Sequence, residues 1–301
     1  MPSPNPNCKT VHVPHLWGID ASYQMPKPYD ASKPTLVLVN SFTTDSELYR
    51  AQYEDKRLTD AMNLISIELL GHGQTRTKSK EFTYWDTAIM NLQVLEALGI
   101  KKAYVLGTSQ GGWITVRMAL LRPDMIQGII PLGTSMDKEC QRTIDLGCWD
   151  GYKDVTNAVE AFKTEPGAAA DSEFEVPAWF CDFLIDIGFG KDVDSKVRAF
   201  WHDEIKNNYR GQEGKDRIWM ASCNLRDRDG LHARVSDVKC PVRWIHGTND
   251  VVYSVANAKE EIPLFTGSPD AQLQVIEGGQ HFLSFSHPNE IAEALLAFVK
   301  N

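Results

Sequence analysis

Residues Tyr104–Trp113 read YVLGTSQGGW, an apolar run that ends on a serine set among small residues. The apolar part reads as a short buried strand, and the GGWITVRMALLRPD that follows has helical spacing, closed before Pro123. A polar turn between a strand and a helix is common in any α/β chain and would account for a serine here. The pattern Gly107-x-Ser109-x-Gly111 suggests something more. Glycine on either side removes side chains that would collide with the neighbouring strand or helix, so a tight bend can hold the central residue in a strained conformation and lift its hydroxyl above the sheet edge. The same bend aims the first amides of the helix, starting with Gln110, at the space beside that hydroxyl. Glycine and serine are common, so the strand before and the helix after give the pattern its meaning.

On either side the chain alternates in the same way. TLVLVN (Thr35–Asn40) and NLISIELL (Asn63–Leu70) read as buried strands, and the glycine-punctuated loop GHGQT follows. The segment 84–100 carries Ile89, Leu92, Val94, Leu95 and Leu98 at helical spacing and stops at Gly99. IQGIIPLG (Ile126–Gly133), VRWIHG (Val242–Gly247) and LQVIEGG (Leu273–Gly279) are further strands, and a closing helix is predicted from Pro288 to Lys300. Such alternation predicts an α/β fold with a mostly parallel sheet flanked by helices. From about Asp137 to Val235 the strands cease, and aromatic-rich helical stretches take their place. The expectation is a core of residues 1–136 and 236–301 with residues 137–235 inserted as a helical cap. The first residues, MPSPNPNCKTVHVPH, read as a proline-rich leader.

The net charge of −9 and the absence of a basic stripe argue against a nucleic-acid partner, which needs clustered Lys and Arg. The leader lacks the basic end and apolar run of a secretory signal, and no segment approaches the ~18 consecutive apolar residues of a membrane span. A cytoplasmic chain without membrane contact is expected. The six cysteines are scattered with no C-x-x-C pair, which predicts buried free thiols and no metal site; no cofactor motif is present.

A serine hydroxyl is a poor nucleophile at neutral pH and needs a base. Of the eight histidines, His281 in EGGQHFLSFSHP is preferred, because it follows a predicted strand on a loop that can reach back over the sheet edge. His287 reads as a capping or surface residue, His246 as the end of its strand, and His72 as a loop organiser. The base in turn needs an anion to hold its tautomer. Asp250 in HGTNDVV suits that role by the chain order serine, acid, histidine, although an Asp before a helix is also a common N-cap. Asp137 in PLGTSMDKE follows the preceding strand and is the alternative acid. Two backbone amides, those of Gln110 and of Phe42 in VNSFTTD, are the candidate donors to an oxyanion.

With Ser109, Asp250 and His281 in that order, the chain resembles serine hydrolases of the α/β-hydrolase fold from Thr35 to Lys300. LLGHGQT resembles that family's loop after the next strand, and HGTNDVV and GGQHFLSFSHP resemble its acid and histidine segments. Where the family often has His-Gly before the oxyanion residue, this chain has Asn40 and Ser41. A serine at the bend, in place of Asp, argues against epoxide hydrolases and haloalkane dehalogenases. The resemblance implies a triad of Ser109, His281 and Asp250 acting on carboxylic esters or lactones of small to medium apolar character. It implies a cap whose aromatics, among them Trp179, Phe183 and Trp201, line the pocket or form the cap's own core; Trp113 would pack beneath the bend. Homodimerisation through the cap is a further expectation. Rival readings are a slow-turnover hydrolase-fold receptor and an enzyme that uses the same serine for acyl transfer or carbon–carbon bond cleavage.

Overall fold

The computed structural model describes residues 5–165 and 167–299. The chain opens with β1 (Cys8–Val13), β2 (Ile19–Gln24) and β3 (Thr35–Val39), and α1 (Arg50–Glu54) and α2 (Lys56–Ala61) then lead to β4 (Asn63–Ile67) and the two-residue β5 (Arg76–Thr77). There follow α3 (Tyr84–Ala97), β6 (Ala103–Thr108), α4 (Gln110–Leu121) and β7 (Ile126–Leu132). Helices then replace the α/β alternation: α5 (Gln141–Asp145), α6 (Gly151–Phe162), α7 (Ala178–Phe189), α8 (Ser195–Asn208) and α9 (Gly211–Arg226). The alternation resumes with β8 (Val242–Gly247), α10 (Val255–Glu261), β9 (Ala271–Ile276), α11 (Leu283–Ser286) and α12 (Pro288–Phe298). Lys300, the predicted end of the closing helix, lies outside the described residues.

One sheet carries all the strands in the order β1-β2-β4-β3-β6-β7-β8-β9, with β5 paired to β2. From β4 to β9 neighbouring strands are parallel, and β2 joins β4 antiparallel. The central strands are covered on both faces: all residues of β3, β4 and β6 are buried. α6 to α9 form a helical insertion between β7 and β8, in which α6 packs on α9 and α7 on α8. Apolar residues of the insertion, including Phe162, Phe180, Ile185 and Ile205, share one cluster with Leu38, Leu106 and Leu132 of the sheet. The insertion therefore shares its core with the body beneath it.

The leader expectation is corrected by β1 and β2, which pair antiparallel from Cys8 with Gln24 to Val13 with Ile19. β1 is an edge strand, largely exposed along its length, so it lacks the continuous apolar run that marks a buried strand. Its link to β2 also departs from common turn chemistry, since Leu16, Trp17 and Gly18 take positive φ in succession.

The first turn of α4 lies against the sheet at backbone distance. A Cβ on Gly107 would stand 2.2 Å from the carbonyl oxygen of Gly111, and one on Gly111 would stand 2.2 Å from that of Val39. Backbone cannot yield as a side chain does, so both positions need glycine for want of space. Gly111→Ala is expected to lower unfolding stability by about 3 kcal/mol, as overpacking does at its upper range; urea denaturation checks this.

Candidate active site

Between β6 and α4 the backbone at Ser109 has φ 52° and ψ −114°. Positive φ is uncommon for a residue with a side chain and stores strain of about 1–3 kcal/mol. The strained turn is held by the Ser109 amide donating to Leu132 O at 2.8 Å and by the Gly112 amide donating to Ser109 O at 2.8 Å. Trp113 is fully buried one turn into the helix.

His281 stands on the loop between β9 and α11, and its Nδ1 lies 2.9 and 3.0 Å from the two carboxylate oxygens of Asp250. Asp250 belongs to the turn after β8, where its Oδ1 also accepts from the amides of Val252 at 2.8 Å and Tyr253 at 3.0 Å. Burial pushes the Asp250 pKa up, but the His281 imidazole, His246 and the Tyr253 amide outweigh it and hold the carboxyl below its ordinary range. His246, fully buried at the end of β8, reaches the Tyr253 carbonyl with Nε2 at 2.8 Å and stands 3.5 Å from Asp250 Oδ2. Gly133 makes room for the pair: a Cβ there would lie 2.6 Å from His281 O and 3.0 Å from Asp250 Oδ2.

Ser109 and His281 line the same cavity, together with Phe42, Trp149, Tyr253 and Phe282. Its free space is about 30 Å³, room for roughly two waters. Phe42 comes from the loop after β3, which is braced from within: Asn40 Nδ2 donates to Thr44 O at 2.5 Å, and Asn40 Oδ1 accepts from Leu69 N–H at 3.2 Å. Asn40 thus ties this loop to the one after β4, where His72 is buried with Nδ1 2.9 Å from Leu70 O. Burial lowers the His72 pKa to about 4, so it is neutral at physiological pH.

Of the cap aromatics named from sequence, Trp201 lies in the cavity wall beside Phe189, Leu184 and Ile185. Trp179 and Phe183 are not among its lining. Trp179 is 56% exposed and sets its edge against Phe180, and Phe183 stacks on the same ring. All three are aromatic residues on insertion helices, and helical phase, invisible without the packing partner, separates them.

Residue patterns also gave no sign of the support behind the cavity. Arg228, just after α9, and Glu139, just before α5, form an ion pair at 2.7 Å with side chains 1% and 4% exposed. The Arg228 guanidinium lies 4.0 Å above the Trp113 ring. Glu139 Oε1 also accepts from Trp149 Nε1 at 3.1 Å and Tyr253 OH at 3.3 Å, and both of those rings wall the cavity.

A family model described as alpha/beta hydrolase fold matches residues 34–288. The chain belongs to this family. The hydrolase is 24% identical over 299 residues to an uncharacterized carboxylesterase of Bacillus subtilis, covering 97% of this chain and 86% of the relative. A thermophilic esterase from Thermogutta terrifontis shares the fold with a TM-score of 0.76 at 16% identity, over 96% of this chain and 97% of that one. The enol-lactonase from Burkholderia xenovorans does so with a TM-score of 0.72 at 17% identity, over 96% and 99%. Among the described residues of the hydrolase, no helix is long and apolar enough to cross a membrane, and no group of three or more His, Cys, Asp and Glu is arranged to hold a metal ion.

Asp137, the alternative acid, is engaged elsewhere. Its Oδ2 lies 3.4 Å from Arg142 Nη2 and 3.7 Å from His232 Nδ1, in a network centred on the buried Glu261. His232 Nε2 meets Glu261 Oε1 at 2.7 Å, and this hydrogen bond raises the His232 pKa above its ordinary value. A raised folded-state pKa contributes stability that is complete below the unfolded value and is lost as pH rises through the folded one. His232→Gln should therefore destabilise the hydrolase most below the ordinary histidine range near pH 6.5 and progressively less as pH rises above it, as read by denaturant unfolding across pH.

Proposed function

We propose that this α/β hydrolase is a serine hydrolase that cleaves carboxylic esters or lactones of apolar substrates through an acyl-enzyme. The single observation that carries this reading is the His281–Asp250 hydrogen bond behind a cavity that His281 shares with the strained Ser109. With Nδ1 engaged by Asp250, the proton on that nitrogen is held, and Nε2 is the nitrogen able to accept one. Asp250, kept ionised by its surroundings, stabilises the imidazolium that then forms.

In the proposed reaction Ser109 Oγ attacks the carbonyl carbon as His281 Nε2 takes its proton. The carbonyl oxygen becomes an oxyanion, to which the amides of Gln110 and Phe42 donate. The C–O bond to the leaving alcohol breaks as His281 returns the proton to that oxygen. Water then repeats the attack on the acyl-enzyme, and Ser109 leaves with its proton restored. A lactone differs only in keeping its leaving alcohol tethered to the acyl group. The carboxylesterase, esterase and lactonase among the similar proteins support this substrate class. In this reading residues 137–235 act as a cap that keeps bulk water from the acyl-enzyme, and the apolar cavity wall selects apolar groups.

An aryl phosphonate ester should label Ser109, as peptide mapping would read. Ser109→Ala should abolish turnover of p-nitrophenyl acetate with the fold intact, and Asp250→Asn should lower kcat by about 10⁴-fold. Turnover retained in Ser109→Ala, or a comparable loss in Asp137→Asn alone, would refute the assignment.

A further inference from the structure

The cavity at Ser109 is an order of magnitude smaller than the roughly 300–1,000 Å³ typical of small-molecule sites. An ester whose carbonyl sits at Ser109 must extend beyond it. A cavity of about 530 Å³, bounded in part by Lys78, Phe82, Gln212 and Trp219, shares no wall residue with the one at Ser109. A groove of about 320 Å³ between α1 and α8 does share its wall, for Phe189 and Trp201 line both.

Those two side chains form the partition. Their ring centroids are 5.1 Å apart. On the cavity side Phe189 meets Phe282, the neighbour of His281, edge-on at 4.9 Å; on the groove side it meets Phe285 edge-on at 5.0 Å. Phe189 is the last residue of α7, and Gly190 follows with φ 95°, so the ring stands where the helix ends. Beyond the partition Leu48, Ala51, Val197, Phe200 and Phe285 give the groove most of its apolar lining. Glu47, Arg50, Glu54 and Lys196 also line it; Arg50 is paired with Glu47 at 2.5 Å and lies over Phe200 at 4.6 Å.

We propose that this groove is the outer subsite of the substrate site and takes the unbranched apolar chain of an ester, with Phe189 and Trp201 as the wall that yields to admit it. The proposal rests on the serine-hydrolase reading above. It follows from continuity and chemistry: one ring pair separates a small reaction cavity from an apolar groove within the size range of ligand sites. An apolar chain entering the groove gains by leaving water against these apolar side chains.

The test compares kcat/KM for p-nitrophenyl octanoate and p-nitrophenyl acetate. Val197→Trp, which fills the groove, should lower the octanoate-to-acetate ratio about tenfold, and Trp201→Ala, which thins the wall, should raise it by a similar factor. A structure of the Ser109 adduct of an octyl phosphonate should show the chain between Val197 and Phe285. An unchanged ratio in a folded Val197→Trp, or an octyl chain lying elsewhere, overturns the subsite while Ser109 labelling and acetate turnover leave the serine-hydrolase reading standing. Failure of Ser109 to react with phosphonate, with neither ester turned over, overturns that reading and the subsite with it.

Discussion

Backbone contact between the first turn of α4 and the strands beneath it is the constraint on which the rest of the structure depends. Gly107 and Gly111 allow α4 to start directly over β3 and β6, with no side chain between. The chain can reach that position only through the unusual dihedral angles of Ser109. Close packing then places Ser109 in the cavity wall and puts the Gln110 amide at a helix N-terminus, where orphan N–H groups and the helix dipole favour negative charge. Trp113, carried inward by the same turn, becomes the surface on which Arg228 rests.

From Trp113 the dependence spreads outward through a dry ion pair. Burying Arg228 and Glu139 is a poor source of net stability, because desolvating two charges offsets most of their attraction. Its effect is positional. One carboxylate oxygen holds Arg228, Trp149 and Tyr253, and thereby joins the two ends of the helical insertion to the turn that carries Asp250. The Trp149 amide adds a bond to Val252 O at 2.9 Å in the same turn. The insertion and the histidine–carboxylate pair are thus anchored at a shared point.

Legibility in the sequence followed the physics of each element. Strands buried on both faces, such as β3 and β4, announce themselves as mostly apolar runs, β4 interrupted only by Ser66 after its opening Asn63. β1 did not, because an edge strand needs only part of its surface covered and its neighbours are prolines and polar residues. The choice between Asp250 and Asp137 rested on chain order alone; in space Asp250 meets His281 and Asp137 meets Arg142 and His232. Asn40, standing where the family often has histidine, proves to tie the loop of Phe42 to that after β4 with its amide group.

By itself the sequence determined the α/β alternation, the strand-to-helix bend at Ser109 and the aromatic helical insertion, since each depends on residues near one another in the chain: glycine spacing, apolar periodicity and the loss of strands. Only the tertiary structure decided which carboxylate holds His281, which rings wall the cavity and which merely cover the insertion, and that Arg228 and Glu139 underlie it. Those outcomes depend on side chains far apart in the chain, such as Glu139 and Tyr253, meeting at a fixed phase set by the surface each element packs against, which no local pattern contains.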